Sequence, residues 1–112
     1  MGANPLMRTV TLASANQAYN LFTLLQALNT PPPIQYKECS KLQIQLDKDA
    51  GSANLFIGNQ ELANSSVDYG VSLFATQAHG IEEAGKNTIN IDQYWLLSDT
   101  DATKVHIVVH VT

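Results

Sequence analysis

Along the 112-residue chain, apolar and polar side chains alternate in short runs separated by Asn, Asp, Gly and Ser. This is the pattern of strands that bury one face. The clearest run lies between Ser40 and Asp47: Leu42, Ile44 and Leu46 fall on one side, and Lys41, Gln43, Gln45 and Asp47 on the other. Another, at 7–12, sets Met7, Thr9 and Thr11 against Arg8, Val10 and Leu12. A third, at 103–112, sets Val105, Ile107, Val109 and Val111 against Lys104, His106, Val108 and His110. Shorter runs at 53–58, 67–74, 87–91 and 94–97 complete the set. The Asp47-Lys48-Asp49-Ala50-Gly51 turn predicts a hairpin between the strand ending at Leu46 and 53–58. The 98–102 turn likewise predicts antiparallel pairing of 94–97 with 103–112.

One segment departs from the two-residue period. Leu21, Leu24, Leu25 and Leu28 recur at helical spacing within 19–28, with Ser14 and Asn16 as start signals. Pro31, Pro32 and Pro33 end that helix, because proline disfavours helix at the residue before it. Residues 29–39 are then a proline-containing loop without PxxP spacing, and residues 1–7 an extended arm that lies along a neighbour. The expected fold is mainly β: a single domain over 1–112, an antiparallel β-sandwich or jelly roll with one short N-terminal helix.

Composition narrows the partners. Charged residues make up 14% of the chain against ~25% in ordinary soluble domains, while Asn, Gln, Ser and Thr together number 33. The surface is therefore polar but largely uncharged. The net charge is −4, and Arg8, Lys37, Lys41, Lys48, Lys86 and Lys104 are scattered, which argues against a nucleic-acid partner. Apolar runs such as Ile107-Val108-Val109 fall far short of the ~20 residues of a membrane-spanning helix. The N-terminus has neither a basic-then-apolar leader nor a Ser or Thr at the myristoylation position, so secretion and lipidation are not expected. Cys39 is the only cysteine; it has no internal disulfide partner and fits synthesis in a reducing cytoplasm.

The residues that carry chemistry do not assemble into a known pattern. Asp47, Asp49 and Gly51 resemble the start of a calcium loop, but the glycine comes one place early and Gly58 stands where a bidentate Glu belongs. Asp99 and Asp101 read as ordinary turn carboxylates. His106 and His110 share a strand face but stand roughly 13 Å apart at ~3.3 Å per residue, too far to share a zinc ion. His79 reads as a loop residue without ligand spacing. Cys39 has no flanking pattern of a nucleophile, and the adjacent Glu82 and Glu83 point to opposite faces in a strand. No catalytic, cofactor-binding or metal-binding residue is expected, and the chain does not read as an enzyme. Tyr36, Tyr69, Tyr94 and Trp95 can stack on sugar rings, which keeps a carbohydrate-binding β-sandwich module as the alternative; Tyr94 and Trp95 must face opposite ways in a strand. Asn64-Ser65-Ser66 is formally a glycosylation acceptor.

Leu42-Gln43-Ile44-Gln45-Leu46-Asp47, Asn54-Leu55-Phe56-Ile57-Gly58 and Ser66-Val67-Asp68-Tyr69-Gly70-Val71-Ser72-Leu73 resemble, in their succession of strands and turns, small virion proteins of tailed bacteriophages. The C-terminal part continues the likeness: Ile89-Asn90-Ile91-Asp92-Gln93-Tyr94-Trp95-Leu96, an Asp/Thr-rich turn, then a Val-rich strand over 104–111. The resemblance covers roughly residues 40–112. It implies a jelly-roll-like capsid decoration, or cement, protein. Such a protein is made in the bacterial host cytoplasm, sits on the virion surface and bridges major capsid subunits; a jelly roll of this size is expected to work as a small symmetric homo-oligomer, a dimer or trimer.

Overall fold

The computed structural model describes residues 4–28, 38–63, 69–82 and 89–111. Among these residues there are ten strands and one short α-helix: β1 Asn4–Leu12, β2 Ala18–Asn20, α1 Leu21–Gln26, β3 Glu38–Cys39, β4 Lys41–Leu46, β5 Leu55–Gly58, β6 Val71–Leu73, β7 Ala78–Glu82, β8 Ile89–Asn90, β9 Trp95–Ser98 and β10 Thr103–Val111. One four-stranded sheet has the order β1-β10-β4-β7, the other β2-β9-β5-β6, and β3 and β8 form a small third pair. All pairings are antiparallel. They are also nested: β1 meets β10, β2 meets β9, β3 meets β8, β4 meets β7 and β5 meets β6. The chain is thus one long hairpin, bent at β5–β6 and rolled so that β4 also meets β10 and β5 also meets β9. The molecule is a jelly-roll β-sandwich, as the alternation predicts.

Both hairpins expected from turn chemistry are corrected. β4 and β5 lie in different sheets, as do β9 and β10. Their Asp-rich turns are arches that carry the chain across the core. Both strands flanking an arch bury one face, so the alternating pattern is the same for an arch and a hairpin. Residues 4–7 are extended, but they belong to β1 and pair with 108–111 of the same chain. His79 is in β7, opposite Ile44, and not in a loop; the run Ala78-His79-Gly80-Ile81-Glu82 has too few apolar side chains to stand out. Glu38 and Cys39 leave the proline-containing loop as β3. The helix is shorter than 19–28, since Tyr19 belongs to β2. Its cap is Asn20 and not Ser14 or Asn16: Asn20 Oδ1 accepts the Thr23 N–H at 3.2 Å while its Nδ2 donates to the Asp92 carbonyl at 2.8 Å. Residues 29–37, Asn64-Ser65-Ser66, Val67 and Asp68, Glu83 and 87–88 lie outside the described residues.

The core is built from alternate positions of both sheets. Val10, Leu12, Leu42, Ile44, Leu46, Val105, Ile107 and Val109 come from the first, and Leu55, Ile57, Leu73 and Leu96 from the second. Each such aliphatic side chain contributes roughly 1.5–3 kcal/mol on leaving water. Leu21, Phe22 and Leu25 of α1, Cys39 and Ile89 of the small pair, and Ile91 of the 3-10 turn after β8 complete it. A 3-10 turn at Gln60–Ala63 packs on β9 and β2. Leu62 and Leu97 are buried apart from the main core.

Candidate functional site

The two ends of the second sheet use their polar residues in opposite ways. At the end where β9 finishes and β5 begins, three connections meet, and each is held by a side-chain oxygen. Asp99 accepts from the Asn54 backbone N–H and from Asn54 Nδ2, both at 2.8 Å, and from Thr100 Oγ1 at 3.0 Å. Asp101 Oδ1 accepts the Ala15 N–H at 2.6 Å. Buried Ser98 and Thr103 join hydroxyls at 2.7 Å, and Thr103 Oγ1 donates to the Thr100 carbonyl at 2.8 Å. Burial pushes the Asp99 carboxyl up, but the hydrogen bonds from Asn54, Thr100 and its own backbone outweigh it and hold the group below the ordinary 3.8.

Asp47 begins the β4–β5 arch and binds His106 across the sheet. Its Oδ1 lies 2.6 Å from His106 Nε2, its Oδ2 accepts the Asp49 N–H at 3.1 Å, and Thr9 Oγ1 lies 3.0 Å from His106 Nδ1. With Nε2–H donating to the carboxylate, Nδ1 accepts a hydrogen bond from the Thr9 hydroxyl while the ring is neutral and donates to that oxygen when the ring is charged. The His106 bond, then the Asp49 bond, holds the Asp47 carboxyl below 3.8. Thus Asp47 and Asp49 do come near Asp101, all three lining a cavity of about 310 Å³. Two of them, however, are committed to protein donors. Among the described residues no three His, Cys, Asp or Glu side chains are grouped to hold a metal ion.

The other sequence candidates are dispersed. Cys39 is fully buried, and burial pushes its thiol up to about 11, the opposite of what a nucleophilic thiolate needs. His110 lies on the outer face of β10, where its backbone carbonyl takes the Ser40 N–H and hydroxyl. Glu82 stands 3.9 Å from Lys41 in an exposed pair, which contributes little. Among the described residues no helix is long and apolar enough to cross a membrane.

The opposite end is open. Here β5 finishes at Gly58, β9 starts beside it at Trp95, and Ile57 pairs with Val71. Between these ends and the β7 edge lies a groove of about 780 Å³ bordered by Asn59, Glu61, Tyr69, His79, Gln93 and Tyr94. Local geometry shapes it. Asn59 Oδ1 accepts the Glu61 N–H at 2.9 Å, which starts the 3-10 turn, and the Gly70 N–H donates to the Ile57 carbonyl at 2.8 Å, which brings Tyr69 alongside β5. Tyr69 is 44% exposed, and its ring leans on Phe56, centroids 4.7 Å apart at 45°. Tyr94 and Trp95 are both half-buried. Sequence reading found Tyr69 and Tyr94 as aromatics but missed Asn59, Glu61 and Gln93, because lone amides and carboxylates in turns carry no spacing signal. No protein-family model matches this sequence, and no curated protein matches it as a relative.

Proposed function

We propose that this protein is a structural component of a bacteriophage virion, docking on the capsid surface, bridging major capsid subunits and acting as a small homo-oligomer. The observation that carries the reading is a weakly charged chain, 14% Asp, Glu, Lys and Arg, that leaves large apolar side chains exposed at separate places: Met7 on β1 is 66% exposed and Phe74, just after β6, 60%. Uncharged polar groups cost less to desolvate than Lys or Glu, which protein interfaces avoid. A standard interface takes ~800 Å² per partner, a small share of the 6489 Å² surface. The strand-and-turn succession over 40–112 supports the same reading, as does a sandwich whose loops are bonded to one another at one end. Binding the assembled lattice better than free subunits would stabilise the shell by mass action.

The test uses a phage that encodes this chain. Gradient-purified particles should contain the protein in stoichiometric proportion to the major capsid protein, and particles made without it should lose DNA at lower temperature. Its absence from purified particles, or unchanged heat and osmotic resistance without it, would overturn the reading. Phe74→Asp in an otherwise folded protein should reduce its occupancy on particles.

A further inference from the structure

The groove beside β7 plays no part in the docking surface above, and its chemistry is of a different kind. We propose that it binds a neutral saccharide. A sugar ring presents apolar C–H faces and a rim of hydroxyls, each both donor and acceptor. The groove offers the complement. Tyr69 supplies an exposed ring, already seated on Phe56, so little freedom is lost when a ligand stacks on it. Tyr94 lines the same groove.

Around these rings stand three polar side chains with unused capacity. Glu61 and Gln93 make no side-chain hydrogen bond to the protein among the described residues, and Asn59 uses only its oxygen, leaving Nδ2 to donate. Amides give and accept, and a carboxylate accepts strongly from hydroxyls. An apolar peptide would leave these groups desolvated and unpaired, at a cost. Charge selects further. Among the described residues the groove is lined by one carboxylate, Glu61, and by no Lys or Arg, so a phosphate, sulfate or acidic sugar meets the Glu61 charge with only the His79 ring to offset it. The volume lies within the ~300–1,000 Å³ of small-ligand sites, which suits a short oligosaccharide.

The experiment is an amide-resolved NMR titration of the full chain with maltotriose, cellotriose and triacetylchitotriose, with sialyllactose and an apolar peptide as comparators. At least one neutral trisaccharide should give saturable shifts confined to 57–61, 69–71, 79 and 93–94. Tyr69→Ala should weaken that binding about tenfold and Gln93→Ala about threefold, while Tyr69→Phe stays within about twofold; unchanged shifts elsewhere would show that each variant is folded. The proposal is overturned if none of the three neutral sugars moves these amides at millimolar concentration, if only sialyllactose or the peptide does, or if folded Tyr69→Ala and Gln93→Ala bind as the parent does. The outcome does not depend on whether the protein is a virion component.

Discussion

The two ends of the sandwich differ in what their polar side chains are bonded to. At the end built by the β4–β5 and β9–β10 arches, Asp47, Asp99 and Asp101 accept from backbone or side-chain donors belonging to other segments of the chain: His106 of β10, Asn54 and Ala15. At the groove end, Glu61, Gln93 and Asn59 Nδ2 are left facing outward. The same residue types therefore hold the fold at one end and are available to a ligand at the other. Carboxylate-rich turns are poor guides to a metal site when each carboxylate has a nearby N–H to accept, and sparse neutral turns deserve the closer search.

That contrast can be broken by substitution. The largest effect is expected at Leu46, fully buried where β4 enters the arch: Leu46→Ala should lower stability by about 2–5 kcal/mol in urea denaturation. Ser98→Ala should cost about 1–3 kcal/mol, because the Thr100 N–H and the Thr103 hydroxyl both lose a partner inside the protein. Ala102, in the same arch, has φ +55°, a left-handed conformation that suits glycine. Ala102→Gly should therefore stabilise the protein by about 0.5–1 kcal/mol, read as a higher denaturation midpoint. At the groove end, Glu61→Gln and Gln93→Ala should change stability by no more than about 0.5 kcal/mol. Groove substitutions as costly as Ser98→Ala would erase the distinction between the ends.

Acid sharpens the comparison. Asp47 and Asp99 titrate below 3.8 in the folded protein, so the unfolded chain takes up their protons first as pH falls. The stability they supply is complete well above 3.8 and is lost as pH drops through their folded values. The melting temperature should therefore be insensitive to these two groups from neutral pH down to about pH 5 and fall below that. Asp47→Asn combined with Asp99→Asn should flatten the acid limb. An acid limb unchanged by the double substitution would show that other carboxylates govern it.

Much of this molecule was legible in the order of its residues. Alternation at Leu42, Ile44 and Leu46, and at Val105, Ile107 and Val109, identified side chains that are all buried. The Leu spacing found the helix, and the short strands with their turns indicated an antiparallel sandwich. These features are local: a strand's inward face follows from the two-residue period of its backbone. Which strands are neighbours is not local. An Asp-rich turn after Leu46 serves a hairpin or an arch equally well, and the choice falls to hydrogen bonds between segments far apart, β1 with β10 or β4 with β7. The candidate groove has the same origin. Asn59, Glu61, Tyr69, His79 and Gln93 have no common spacing; they meet because the rolled hairpin brings the ends of β5 and β9, the start of β6 and the edge of β7 to one place. Side-chain burial was written in the period, and partnership was decided by the packing of two sheets around one core.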